Sequence, residues 1–429
     1  MSENACKIAT GRAEARCSTF SFHLYLSILS FLSFTKFLYF LIFCPRAEKF
    51  FKEFKMEHKN LQLLVGGARA FPEILGCIEN AKTSLQINMF IWRDDEIGNR
   101  MARAVVEAAD RGVQVDISAD RYGVVLEKCE EAKKSFFHKK MTFREKLTVF
   151  FLKRLYPGTC GRGGAADRES PLYRRMMEHP NIRVSADVFK ADHSKYYIID
   201  DEILFLGGVN IEDKENGADR QGRVYGDYMA RLTGREYVQA FRTKLETGEN
   251  LREDLFFGLN RKVPRRRFEM EELYLDLING AEKTLHITMA YFSPLEQFLD
   301  AILAAHRRGV QVTILVPEQA NFQNDSNRRT LKKLLQATGG EIGVYLSPKM
   351  LHTKLVMSDR LISFGSTNIT RKAFAQLDEL NLFLPSVDSQ FRRDLLQSIA
   401  SDLAESRRVH RGEQIRYNRL LAFLEGFVV

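Results

Sequence analysis

The feature that most constrains this chain is an internal duplication. Residues 81–92 read AKTSLQINMFIW and residues 281–292 read AEKTLHITMAYF, so Leu85, Ile87 and Met89 match Leu285, Ile287 and Met289. The apolar positions alternate, as they do in a half-buried strand. An amphipathic helical stretch follows each. The first covers about 96–111, with Met101, Val105 and Ala108 on one face; the second covers about 295–308, with Phe298, Ile302 and Ala305. Each stretch stops at Arg-Gly, where Gly112 and Gly309 suit a left-handed cap, and leads into a Val-Gln-Val strand. Strand, helix and strand joined by short turns imply parallel strands and a right-handed crossover. The expected class is therefore α/β, built from one unit used twice.

Each repeat closes on the same polar residues. The first copy is His193-Ser-Lys195, then Asp200, then Gly207-Gly208-Val-Asn210; the second is His352-Thr-Lys354, then Asp359, then Gly365-Ser366-Thr-Asn368. Side chains at i and i+2 of a strand point to the same face, so His and Lys can address one phosphate from one side. One such set is usually a core or surface histidine near a turn. Two sets in matching repeats point to a shared site with a histidine on each side of a phosphate. Imidazole attacks phosphorus near neutral pH, and a second imidazole can protonate the leaving alkoxide and then deprotonate the incoming hydroxyl. Lys195 and Lys354 supply positive charge, and Asn210, Asn368 and the Ser366 hydroxyl can donate hydrogen bonds to the phosphoryl oxygens. Asp200 and Asp359 stand at strand-to-turn junctions and are expected to brace the turn or a neighbouring strand. No metal is expected, because no HExxH, Asp-rich or paired Cys/His cluster is present and the lysines supply the charge. No cofactor is expected either.

The pattern H-x-K-x4-D followed by G-[GS]-x-N, twice over most of the chain, resembles the phospholipase D superfamily. Within it, FIWRDDEIG (90–98), ADHSKYYIIDDEILFLGGVNIED (191–213) and Tyr225-Gly-Asp227-Tyr228 look like bacterial cardiolipin synthases. The resemblance implies two phospholipase D-like α/β repeats related by a pseudo-two-fold, with the active site at their interface. It implies that His193 is the nucleophile and His352 the general acid and base. Asp227 and Glu379 would orient the histidines, with Asn381 joining them. The reaction it implies is transfer of a phosphatidyl group between two phosphatidylglycerols with release of glycerol. Water as acceptor would instead give phosphatidic acid, the phospholipase D outcome. A nuclease or other phosphodiesterase of the superfamily is the rival enzyme, and a non-catalytic lipid-binding scaffold the rival from another class. Two departures stand out. The second motif is one residue shorter between its histidine and its first glycine, which is expected to shift its glycine turn. Gly208 stands where the second motif has Ser366, so the halves are not equivalent.

At 429 residues the chain has room for two core-forming units. Its formal charge of +9 favours anionic partners, whether phospholipid, nucleic acid or free phosphate. The expected partners are anionic phospholipid (phosphatidylglycerol) and a membrane surface, with nucleic acid only under the nuclease reading. Cys6, Cys17, Cys44, Cys77, Cys129 and Cys160 form neither a CxxC pair nor a disulfide framework, which suits a reducing compartment. Residues 20–44 are long and apolar enough to cross a bilayer, although His23 and Lys36 interrupt them. With Arg46, Lys49, Lys52 and Lys55 following, the positive-inside rule would keep the catalytic part cytoplasmic; Lys7, Arg12 and Arg16 compete. The alternative is that residues 1–55 lie outside the working protein and translation starts at Met56. The first repeat is expected over 56–247, a linker with Gly248, Gly258, Pro264 and three arginines over 248–268, and the second repeat with a C-terminal helix over 269–429. An insertion, 126–170, alternates Lys and Arg with Phe143, Leu147, Phe150 and Phe151, which fit one helical face. A basic, Phe-rich amphipathic helix suits a membrane interface, or else a helix packed on the body with a solvated basic face.

Overall fold

The structure, a computed structural model, describes residues 60–129, 135–137, 141–156, 170–217, 222, 224–263 and 266–428. The expectations placed on residues 1–55, on residues 130–134, 138–140 and 157–169 of the insertion, and on Pro264 and the first of the three arginines lie outside them.

Each repeat contributes a mixed sheet. The first, seven-stranded, runs in the order Leu61–Val65, Tyr228–Thr233, Ile203–Gly207, Lys195–Ile199, Ser84–Met89, Gln114–Ala119, Ile182–Ser185. Ser84–Met89, Gln114–Ala119 and Ile182–Ser185 are parallel, and the neighbours from Lys195–Ile199 to Leu61–Val65 are antiparallel. The second sheet repeats that order with Phe256–Arg261, Glu379–Pro385, Leu361–Gly365, Lys354–Ser358, Thr284–Met289, Gln311–Pro317 and Gly343–Ser347, and adds Arg267–Phe268 and Arg407–Val409 at its edges. The crossover helices are Glu96–Asp110 and Glu296–Arg307. Asp95 caps the first by accepting from Gly98 N–H, and Gly112 and Gly309 follow the helices at φ +99° and +87°.

The strand matching Leu61–Val65 is Phe256–Arg261, inside the stretch expected as a linker. A strand of the second sheet therefore lies within the stretch 248–268. Gly258 reads as a breaker, yet a Cβ there would lie 2.5 Å from Phe383 and 2.7 Å from Met270, so the strand needs glycine to let those side chains pack.

Both faces of the central strands are buried: every residue of Lys195–Ile199 and Lys354–Ser358 is buried. In Lys195–Ile199, Tyr197 and Ile199 join the core beneath the first repeat's helices, while Tyr196 and Ile198 face a core shared by the two repeats. Leu355 and Met357 meet them from the second repeat, whose Val356 points the other way into its own core. Helices Arg235–Thr247 and Gln390–Glu405 complete the shared core with Phe241, Phe391 and Leu395. The repeats are thus joined through buried apolar surface, which holds the residues at their seam in fixed register.

Candidate active site

Both histidines stand just before the strands that carry the lysines. Among the described residues they line one pocket between the repeats, with Asn210, Asn368, Glu215 and Phe90. Each histidine is backbone-paired to the opposite repeat. His193 N–H donates to the Asp378 carbonyl at 2.8 Å, and His352 N–H to the Gly226 carbonyl at 2.7 Å. Asp378 precedes Glu379 and Gly226 precedes Asp227, so the carboxylates are exchanged. His193 Nδ1 lies 3.1 Å from Glu379 Oε2 and 3.0 Å from the Ser366 carbonyl. His352 Nδ1 lies 3.2 Å from Asp227 Oδ2 and 3.3 Å from Glu215 Oε1. The His352 contacts are ion-pair separations without the angles of a hydrogen bond, since Nδ1 has no hydrogen-bond partner. With acceptors around Nδ1 of His193, its proton belongs there, leaving the Nε2 lone pair available.

Lys195 and Lys354 are fully buried. Each ammonium donates to the carbonyl of the histidine two residues before it, and Lys354 Nζ also lies 3.3 Å from Asp227 Oδ2. Burial brings Lys195 down to about 7, and the nearby Lys354 adds to it. Lys354 is lowered by burial against the pull of Asp227. Burial, with the charges of Lys195, Lys354 and His352, holds His193 well below its usual 6.5, so the imidazole is neutral at pH 7. Glu379 is pushed up to about 8 by burial, opposed by Lys195.

The hairpins behind the histidines are braced alike. The Asp200 carboxylate accepts from the backbone N–H groups of Lys82, Thr83 and Ser84, at 2.9, 2.7 and 3.0 Å. The Asp359 carboxylate accepts from those of Glu282, Lys283 and Thr284, at 3.0, 2.9 and 3.1 Å. Burial alone would raise both groups; the amides outweigh it and hold them below the ordinary carboxylate value. The one-residue difference between the motifs is absorbed here. Tyr196 pairs with Leu206 and Leu355 with Phe364, so both hairpins keep the same register at the histidine end. The longer first hairpin spends its extra residue in the turn, where Asp200 and Asp201 take φ of +53° and +52°. The expected displacement of the second glycine turn does not occur.

Ser366 also departs from expectation. Its hydroxyl donates to Glu379 Oε2 and accepts from Leu380 N–H at 2.9 Å, so it is committed to the carboxylate rather than turned to a phosphate. Gly208 holds the matching position, and a Cβ there would sit 2.2 Å from Asp227 Oδ2. Asn368 Oδ1 accepts from Tyr291 N–H at 3.3 Å, and Asn210 Oδ1 has no hydrogen-bond partner. Asn381 braces the second glycine turn, accepting from Thr367 N–H at 3.1 Å and donating to the Tyr274 hydroxyl at 2.8 Å.

Sequence reasoning missed Glu215. It is buried in the pocket wall, neither carboxylate oxygen has a hydrogen-bond partner, and burial raises it against the pull of His352. The matching residue five positions after the motif asparagine in the second repeat is Ala373. That mismatch between the copies was the available signal. Among the described residues no group of three or more His, Cys, Asp or Glu side chains is arranged to hold a metal ion, and no helix is long and apolar enough to cross a membrane.

Two α/β repeats that meet at paired His–Lys motifs, each histidine beside the other repeat's carboxylate, define a phospholipase D-like protein. The chain belongs to the family described as cardiolipin synthase, PLD-like domain, whose model matches residues 74–247 and 274–402. It is 25% identical over 371 residues to a cardiolipin synthase of Listeria monocytogenes serotype 4a, covering 80% of this chain and 70% of that one. It is 25% identical over 397 residues to cardiolipin synthase 2 of Staphylococcus epidermidis, covering 87% and 74%. Among solved structures it is similar to the phosphatidylserine synthase of Haemophilus influenzae Rd KW20, with TM-score 0.60, 14% identity and coverage of 86% of this chain and 92% of that one. At that identity the likeness speaks for the fold.

Proposed function

We propose that this protein is a cardiolipin synthase-like phosphatidyltransferase that joins two phosphatidylglycerols at the cytoplasmic membrane face. The observation that carries the chemistry is the pair of histidines on one pocket, each beside a carboxylate from the other repeat. Cardiolipin synthase relatives along most of the chain carry the choice of lipid.

In the first step His193 Nε2 attacks the phosphorus of one phosphatidylglycerol. A P–N bond forms, the P–O bond to the headgroup glycerol breaks, and His352 gives its proton to the departing alkoxide. In the second step the headgroup hydroxyl of another phosphatidylglycerol loses its proton to His352 and attacks the phosphatidyl-histidine. The P–N bond breaks, cardiolipin leaves and both histidines return to their starting states. Lys195 and Lys354 stabilise the charge on the phosphoryl oxygens. Asn210 and the NH2 group of Asn368 donate hydrogen bonds to them. Glu379 keeps the His193 proton on Nδ1, and Asp227 with Glu215 stabilises imidazolium at His352.

The test is the full chain with labelled phosphatidylglycerol vesicles and EDTA, beside His193→Ala and His352→Ala. Cardiolipin and glycerol from the native protein alone support the reading. Phosphatidic acid alone makes the protein a hydrolase. Cleavage of a parallel nucleic-acid substrate with no lipid turnover makes it a nuclease.

A further inference from the structure

Surface helices of folded proteins turn their apolar stripe inward. Helix Phe143–Leu155 keeps part of its apolar surface outward. Phe143, Leu147, Phe150 and Phe151, spaced to share one face, are exposed, Phe143 by 80% and Phe150 by 61%. The helix is nonetheless firmly held. Thr142 and Glu145 form a capping box, and the Glu145 carboxylate makes a buried ion pair with Arg121 at 2.8 Å. Leu152 and Tyr156 are buried against Cys129 and Phe322. The phenylalanines therefore face solvent because the opposite side is the docked one. The cations Arg144, Lys146, Lys153 and Arg154 are all exposed, and the only acid of the helix, Glu145, is spent on Arg121.

A second surface of the same kind abuts the same pocket wall. Phe322 lines the pocket and meets the Tyr156 ring edge-on at 5.0 Å. Residues 321–323 lead into helix Asn324–Ala337, on which helix Arg419–Val428 is fastened through Ser326, bonded to Glu425 and to the Ala422 carbonyl. That last helix presents Leu420, 65% exposed, and Leu424. Beside it Arg329, Lys332, Lys333, Arg416 and Arg419 line a shallow cleft with one acid, Glu413. Exposed apolar side chains thus stand on both helices with a surplus of cations beside them; among the cleft cations Lys333 is ion-paired, to Glu296 at 2.8 Å.

We infer that helices Phe143–Leu155 and Arg419–Val428 together form the surface by which the pocket seats on an anionic phospholipid bilayer, their apolar side chains entering the acyl boundary and their cations meeting the headgroups. Bulky apolar residues interleaved with Lys and Arg match a bilayer interface in both polarity and charge. Charge-driven binding to nucleic acid would leave the phenylalanines without a purpose. The inference rests on the lipid reading of the pocket, since it puts the pocket mouth where phosphatidylglycerol is.

The test uses the full chain and its single tryptophan, Trp92, which is 2% exposed and serves as a silent internal control. Phe150→Trp and Leu420→Trp each add an indole to one helix. On phosphatidylglycerol vesicles with brominated acyl chains, the added emission of both variants should be lost while that of Trp92 persists. Neutral phosphatidylcholine vesicles with the same bromination should leave it intact. Unquenched added emission from protein that sediments with the anionic vesicles overturns the inference, because another segment is then the anchor. Equal quenching on neutral vesicles overturns the anionic surface as the occupant. Failure to bind anionic vesicles overturns it as well. Quenching without any turnover of phosphatidylglycerol leaves the docking surface standing and removes the transferase.

Discussion

His193 and His352 occupy matching places in matching repeats, yet their surroundings differ. The second repeat gives His193 one carboxylate, Glu379, which is itself tied to the Ser366 hydroxyl, and the Ser366 carbonyl completes the Nδ1 contacts. The first repeat gives His352 two carboxylates, Asp227 and Glu215, and has Gly208 against Asp227 where the second repeat has the Ser366 hydroxyl against Glu379. Gly208 makes room for Asp227, and Ala373 leaves His193 without a counterpart of Glu215. A histidine faced by two acids is suited to carry a proton. One held neutral with Nδ1–H fixed is suited to attack. Duplication supplies equivalent imidazoles, and under the proposed mechanism the division of labour between them would come from the residues behind them.

The comparison can be broken most severely at the histidines. His193→Ala is expected to lower phosphatidyl transfer by about 10⁶-fold, the scale of losing a nucleophile. His352→Ala should cost roughly 10²–10⁴-fold, the range of general acid–base catalysis. Both are read from initial rates of labelled cardiolipin formation; equal losses would erase the distinction. Making the halves alike comes next. Gly208→Ser forces a side chain against Asp227 and should cost more activity than Ser366→Gly, which removes one hydrogen bond to the buried Glu379 carboxyl, worth about 0.5–1.5 kcal/mol. Removing the second acid is milder. Glu215→Gln should lower kcat by about tenfold, near the lower end for one charge-assisted contact, with KM unchanged because Glu215 addresses His352 rather than lipid. A change in KM alone would show that it binds substrate.

The smallest effect is on stability. His193 in the folded protein is held well below 6.5, whereas in the unfolded chain it titrates near 6.5. As pH falls below 6.5 the unfolded chain takes up a proton that the native site refuses, so this residue's share of the stability is progressively lost. Native protein should therefore lose more Tm between pH 7 and pH 5 than His193→Ala does. Parallel Tm curves would mean that His193 is not held neutral.

The repeats and the α/β class were legible because periodicity is local, and the paired motifs because the histidine-to-lysine and glycine-to-asparagine spacings recur between the copies. Other features depend on contacts between distant segments. Nothing in the spacing says that Glu379 crosses to His193 and Asp227 to His352; that follows from how the sheets pack face to face. Strand Phe256–Arg261 was hidden because Gly258 and the nearby Pro264 and arginines look like a linker, while the reason for the glycine is the packing of Phe383 and Met270. The one-residue difference looked like a displaced site because sequence does not say where a hairpin stores an extra residue. Ser366 looked like a phosphate ligand because its hydroxyl could serve either partner, and only the fold brings Glu379 to it.

The most direct test of the division of labour uses a phosphatidyl ester of p-nitrophenol, whose leaving group departs without a proton. His352→Ala should release a burst of p-nitrophenol and accumulate a phosphatidyl adduct that mass spectrometry locates on His193. His193→Ala should give neither. An adduct on His352, or a burst from His193→Ala, would contradict the account.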